Sequence, residues 1–222
     1  MRCRSASNNF ADFKRISTTM SQIALPLVTA RGAETVVLGP SLVPVIEALQ
    51  ASDRWPFRTA ILAGPARSGK SLLARWFAES GAGEAIDDAD TLPENDLFHR
   101  WNRAQADGHP LLLVSNRAPG AWTIALPDLA SRLGSALLIE ICAPDDELAA
   151  GLMVEHATRR GLGLNEQVMA YLVPRIERSH AGIETLIETI DRLSLERKAP
   201  VTISLVRDAL AERSGEFQPR LL

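Results

Sequence analysis

The chain is short of the residues that mark several protein classes. Only two of its 222 residues are cysteines, Cys3 and Cys142. They lack the spacing of a metal site, and the expected setting is a reduced, cytoplasmic one. No run of 18 apolar residues occurs, and the N-terminus has no apolar segment of signal-peptide length, so no membrane association is expected. A cationic excess is missing too: the net charge is −3 and aromatic residues make up 5%. Neither the field nor the stacking surface for strong direct DNA binding is there, and nucleic acid is expected to be met through a partner. What is present, 46% hydrophobic and 23% charged residues, is the balance of a soluble globular protein. The length suits one α/β domain of about 150 residues with a smaller appendage.

Against that background one stretch stands out. Gly64-Pro65-Ala66-Arg67-Ser68-Gly69-Lys70-Ser71 fits the phosphate-loop pattern G-x-x-x-x-G-K-[ST] at every fixed position. Arg58 to Leu62 leads into it as a short apolar strand, and Leu72, Leu73, Trp76 and Phe77 after it mark the apolar face of a helix from Ser71 to Ser80. Glycines let backbone N–H groups close around a β-phosphate, and the helix start adds its positive dipole end. Lys70 would neutralise β- and γ-oxygens and Ser71 would ligate Mg²⁺, with ADP or ATP as the cofactor.

A nucleotide-hydrolysing site also needs an acidic strand end. Asp87 for the metal and Asp88 to polarise water are the pair placed to supply it, after a poor strand in which only Ala85 and Ile86 are clearly apolar. The alternative is that Asp87 to Asp90 forms an acidic turn capping the next helix, and both can hold if Asp90 caps. That helix, Pro93 to Asp107, carries Leu97, Phe98, Trp101 and Ala104 on one face and stops at Gly108-His109-Pro110. Leu111 to Val114 reads as a strand buried on both faces, with Asn116 at its carboxyl end. Asn116 is either a γ-phosphate or water sensor or simply the start of a polar loop. Leu129 to Gly134 is a helical turn before a last strand, Ala136 to Ile141; Arg132 on it is either a surface charge or a group that reaches another subunit's nucleotide.

The flanks differ in character. Residues 1–20 are polar and expected to stay disordered. Residues 21–35 comprise Gln22-Ile23-Ala24-Leu25-Pro26-Leu27 and a polar linker. Pro26 holds that segment extended, so Ile23, Leu25 and Leu27 either enter a groove on another protein or pack as an edge strand on this one. Val36 to Pro40 ends a strand or forms a nucleotide-side loop contributing Val37 and Leu38, and Leu42, Val45, Ile46 and Leu49 mark a helix. Residues 36–143 thus form a nucleotide-binding core and 144–213 four amphipathic helices in a small bundle, the first two capped by Asp145 and Asn165. Residues 214–222 are a tail.

Taken together, the phosphate loop, acidic strand end, polar residue after a later strand, arginine before the last strand and helical appendage resemble an AAA+ ATPase with a lid. Leu97-Phe98-His99-Arg100-Trp101-Asn102, Ser115-Asn116-Arg117 and Leu129-Ala130-Ser131-Arg132-Leu133 are similar to motifs of the replication-initiator clade and, within it, of the Hda family of DnaA-homologous regulators. The chain looks like a diverged, shortened, alphaproteobacterial-type member. The resemblance implies that Gln22, Ile23, Leu25, Pro26 and Leu27 form a peptide for the sliding clamp, the DNA polymerase III β subunit. It also implies that Arg132 is an arginine finger acting in trans on DnaA-bound ATP, making the protein a negative regulator of initiation at the replisome and nucleoid. An initiator would be expected to continue into a helix-turn-helix domain.

Two departures from the family accompany this. Only 17 positions separate Lys70 from Asp87, too few for the usual extra strand and helix, so a four-stranded parallel sheet with the acidic strand at its edge is expected. Gly182 stands where the family's lid carries a sensor arginine, which implies weak turnover of the chain's own nucleotide, with Arg175 or Arg178 as substitutes. A homodimer stays open. The competing functions are a helicase-loader ATPase of the DnaC or IstB type and a nucleotide-stabilised clamp adaptor without catalysis.

Overall fold

The computed structural model describes residues 28–29, 32–33, 37 and 39–215. The peptide Gln22 to Leu27, Leu38 and residues 216–222 lie outside them. The described residues divide into two units, those up to 37 with 42–142, and 39–41 with 143–215. Among the described residues no helix is long and apolar enough to cross a membrane.

The first unit opens with a hairpin of two-residue strands, β1 (Val28–Thr29) and β2 (Gly32–Ala33), inside the segment expected to be linker only. Helix α1 (Val43–Gln50) buries Val45, Ile46 and Leu49, with Pro44 in its first turn where a missing N–H costs nothing. Four strands then alternate with helices: β3 (Thr59–Ala63), α2 (Lys70–Glu79), β4 (Glu84–Ile86), α3 (Glu94–Asp107), β5 (Leu111–Ser115), α4 (Pro127–Ser135) and β6 (Leu137–Glu140). All pairings are parallel and the order is β4-β5-β3-β6. The sheet is therefore four-stranded with the acidic strand at its edge, and no strand lies beyond β4 among the described residues.

The apolar runs explain which strands are central. Every residue of β3 and β5 is buried, as a parallel strand covered on both faces requires. Edge strand β4 is short and begins with Glu84, paired to Arg100, which blunts its open side. One core layer gathers Ile61, Leu113, Leu97, Trp101 and Leu129 between the sheet, α3 and α4. Elsewhere in this unit Trp55 stacks on Phe77 of α2, ring centroids 5.2 Å apart, and donates its indole N–H to the Ala48 carbonyl.

The second unit is an all-helical bundle: α5 (Asp146–Arg159), α6 (Glu166–Leu172), α7 (His180–Arg197) and α8 (Ile203–Ser214). Each helix begins with a side chain that accepts an N–H of its first turn: Asp145 from Leu148, Asn165 from Val168, Ser179 from Gly182, Thr202 from Leu205. Met153, Leu172, Ile183, Leu186, Ile187, Ile190 and Val206 fill its core. Residues 39–41, expected in the core, belong here instead. The second carboxylate oxygen of Asp145 accepts the Ser41 N–H at 2.9 Å, and Gly39 lies so close to Leu148 that a Cβ would stand 2.5 Å from the Leu148 Cβ.

Candidate functional site

The loop from Gly64 to Gly69 leaves the carboxyl end of central strand β3 and turns directly into α2, which starts at Lys70, one residue earlier than the apolar pattern implies. Two residues set its curvature. Arg67 and Gly69 both have left-handed backbone, φ 64° and 82°. A Cβ on Gly69 would meet nothing within 4 Å, so glycine is needed there for its conformation and not for space.

Helix α2 is unlike the other helices at its start. It has no capping side chain, no acidic residue in its first turn and no proline. Helices α1, α3 and α4 use Pro44, Pro93 and Pro127, and α5 to α8 use side-chain caps. The first turn of α2 therefore has no side-chain cap and no acidic residue of its own, the condition under which a helix start accepts an anionic ligand.

Lys70 is 6% exposed and folds back over the loop, its Nζ donating to the Pro65 carbonyl at 2.6 Å and lying 3.4 Å from Ser68 Oγ. Burial pushes its ammonium below the usual lysine range, while the carboxylates of Asp87 and Asp88 pull it back up. A desolvated ammonium gains from pairing with an anionic ligand, and the two carboxylates offset its burial only in part.

A cleft of about 450 Å³ runs along this loop. Residues 66–72 line it with Arg75, Asp87, Asp88 and Asn116, so loop, acidic pair and polar residue share one concave surface. The sheet explains the convergence: β4, β5 and β3 are adjacent, with Ala63 level with Ser115 and Ile86 with Leu113, so Gly64, Asn116 and Asp87 leave neighbouring carboxyl ends. The volume is that of a small-molecule site. Asn116 is exposed, whereas Ser115 is buried and its Oγ takes the Arg117 N–H.

Asp87 and Asp88 are exposed. No group of three or more His, Cys, Asp or Glu side chains suited to a metal occurs among the described residues. Ser71 and Asp87 are hard oxygen donors that both line the cleft, and two such ligands fit Mg²⁺ that arrives with phosphates and keeps its waters. The capping role considered for Asp90 is corrected: α3 begins after Pro93, and the Asp90 side chain, 7% exposed, instead binds Arg117 with Nη2 at 3.0 Å. Val37 is half-buried and does not line the cleft.

Arg132 is not in the cleft. On α4 it is held toward α3 by Asn102 and pairs along its own helix with Asp128, at the i, i+4 spacing of a local ion pair. In the helical unit Gly182 is buried in the first turn of α7, donating its N–H to Ser179 Oγ and accepting from Arg213 at its carbonyl. A Cβ there would come within 2.6 Å of Ser179 Oγ, so a side chain and the cap exclude each other. Neither substitute cation is idle: Arg178 pairs with Asp146 at 2.6 Å, and Arg175 stacks on Tyr171 and donates to its carbonyl. A second cleft, about 270 Å³, lies at the amino ends of β4 and β5 among Gly83, Glu84, Arg103 and His109, away from the loop.

Comparison with known proteins fits this geometry. Residues 145–210 match the family model described as "Hda, lid domain". A protein of Haemophilus influenzae, itself described as uncharacterized, is 29% identical over 131 residues, 56% of this chain and 57% of that one. The chain thus spans a little over half the length of that relative. Among solved structures, domain III of the Thermotoga maritima replication initiation protein DnaA superposes with a TM-score of 0.64 at 16% identity, covering 80% of this chain and 94% of that one. AMPPCP-bound DnaA from Aquifex aeolicus gives 0.57 at 18% identity over 73% of this chain and 66% of its own. The Thermotoga maritima RuvB branch migration motor gives 0.55 at 15%, covering 78% and 68%. At such identities the likeness is one of fold, and the fold is that of an AAA+ core with a C-terminal helical lid.

Proposed function

We propose that this chain is a nucleotide-holding regulator of replication initiation, which docks on a DnaA-type initiator and speeds hydrolysis of the initiator's ATP through Arg132. The observation that carries the trans reading is the separation of the two halves of the chemistry. The phosphate loop, Asp87, Asp88 and Asn116 share a cleft that Arg132 does not line. A guanidinium outside its own nucleotide cleft can meet a phosphoryl group presented by another protein once its local partners give way. There its N–H groups would stabilise charge spreading over the γ-phosphoryl oxygens, an effect worth about 10³ to 10⁵ in rate in enzymes that use it.

In the chain's own cleft, backbone N–H groups of residues 66–71 and Lys70 would bind ADP or ATP, and Ser71 and Asp87 would hold Mg²⁺. When bound, the metal would neutralise phosphate charge. Asp88 would orient a water and Asn116 would read the phosphate end. With Gly182 at the lid position and Arg175 and Arg178 paired locally, the lid brings no spare cation from these positions, which favours holding nucleotide over turning it over. Gln22 to Leu27 would tether the protein to the sliding clamp, raising its local concentration beside DNA without DNA contacts of its own.

The test is hydrolysis of DnaA-bound ATP with and without this chain and DNA-loaded clamp. Wild type is expected to accelerate it, with Arg132→Ala abolishing the gain and Leu25→Ala removing its clamp dependence. No acceleration by the wild type sinks the reading. A non-catalytic clamp adaptor is the second reading, favoured by the internal engagement of Arg132. Clamp and initiator binding with activity indifferent to Arg132→Ala would establish it.

A further inference from the structure

The surroundings of Arg132 divide into two chemically different sets. The flat guanidinium lies over aromatic rings of α3, its Cζ 4.2 Å from the Trp101 centroid and 4.8 Å from that of Phe98. Its Nη1 donates to Asn102 Oδ1 at 2.9 Å, and its Nη2 pairs with Asp128 Oδ2 at 2.7 Å, one helical turn earlier on α4. The arginine side chain is 26% exposed and that of Asp128 62%.

These contacts make different demands on an incoming phosphoryl group. The rings attract the guanidinium without bringing a negative charge or a conventional acceptor, and so do not compete with phosphate oxygens for its N–H groups. Asn102 takes one N–H as a neutral acceptor and does not repel an anion. Asp128 takes an N–H that a phosphate would use, neutralises the cation, and sets a negative charge where another must arrive. With its carboxylate largely in solvent, the i, i+4 pair is also weak enough to be displaced.

We propose that Phe98, Trp101 and Asn102 position Arg132 while Asp128 acts as its brake, a counter-ion that keeps the guanidinium occupied until a nucleoside triphosphate on a docked protein displaces it. This rests on the trans reading of Arg132. Asn102, Phe98 and Trp101 act through Arg132 and touch no reacting atom. Asp128 sets how much of the cation's field the partner meets.

Two variants of the full chain should move in opposite directions. Asp128→Asn keeps a polar group in the first turn of α4 and removes the brake, so the stimulated hydrolysis rate should rise about twofold, the population held back by a weak surface ion pair. Asn102→Asp adds a second carboxylate to the guanidinium and should lower the maximal rate by a similar factor, leaving the concentration needed for half-maximal stimulation unchanged. A readout without any partner is the Arg132 Nε–H resonance of the free protein. It should be shifted upfield by the two rings in wild type and stay so in both variants. A rate for Asp128→Asn equal to or below wild type, with Arg132→Ala still inactive and the thermal midpoint preserved, overturns the brake and leaves the trans reading standing. Equal falls in both variants would mean a structural role only and overturn it likewise, as would an unshifted resonance in wild type. Absence of stimulation by wild type overturns the trans reading and the brake with it.

Discussion

The helices of the two units begin in different ways. In the lid unit all four start on a polar side chain that accepts the N–H three residues on, so each bundle helix closes one of its own orphan donors. In the core unit none does. Three rely on proline, and α2, behind the phosphate loop, has neither device. A bundle that only has to pack satisfies its helix starts internally, whereas a site for an anion leaves one start open. Two glycines repeat the contrast. Gly69 has open space and a left-handed backbone; Gly182 sits in an ordinary helical turn with no room beside the Ser179 cap.

The sharpest way to break this comparison is Lys70→Ala. If the open start of α2 is built for phosphate, the substitution should weaken nucleotide binding by about 100-fold, the loss of a charged hydrogen bond in a buried site, measured by calorimetry. The thermal midpoint of the nucleotide-free protein should hold or rise, because a desolvated ammonium is removed. A fall in that midpoint with unchanged affinity would make the loop structural. Next, Gly69→Ala should cost about 1–2 kcal/mol in denaturant unfolding from backbone strain alone, since the added methyl touches nothing. Retained stability would show that the left-handed turn is not required.

In the lid the effects are smaller and coupled. Ser179→Ala should destabilise by about 1 kcal/mol through loss of the cap. Gly182→Ala should also destabilise by displacing Ser179 Oγ. In the double variant, alanine at 182 should instead recover up to about 1 kcal/mol of helix propensity. Additive losses would disprove the exclusion of side chain and cap. The smallest effect is in pH. The folded value of Lys70 lies below its unfolded one, so its protonated form destabilises the nucleotide-free fold at neutral pH, and that penalty fades as pH rises through the folded value. A bound phosphate favours the protonated form, so affinity should be full at neutral pH and begin to decline at a lower alkaline pH than for an unshifted lysine. A flat profile up to the ordinary lysine range would contradict the burial of its ammonium.

Much of this architecture was legible in the residues. The spacing of Gly64, Gly69, Lys70 and Ser71 located the loop, and the apolar runs at 58–62 and 111–114 located the two central strands within a residue. The short interval from Lys70 to Asp87 gave four strands with β4 at the edge. Of the four lid caps, Asp145 and Asn165 were readable because each directly precedes a periodic apolar stripe. Ser179 and Thr202 were not, since His180 and Ile203 blur the register at which the stripe begins. The two-residue strands β1 and β2 are too short to carry a period at all.

By itself the sequence determined what short stretches can encode: the loop, the number of strands implied by its intervals with the acidic one at the edge, the buried faces and half of the caps. Those signals act within a few residues along the chain, where helix and strand periods fix which side chains share a face. The tertiary structure alone decided where the charges go. Asp90 meets Arg117 across 27 residues, Arg132 meets Asn102 across 30, and Asp145 takes the Ser41 N–H across 104. No periodicity links such partners, because each pairing exists only once the sheet or the bundle has brought two elements together. The i, i+4 spacing of Asp128 and Arg132 is readable along the chain, whereas the contact of that guanidinium with the rings of α3 exists only in the fold.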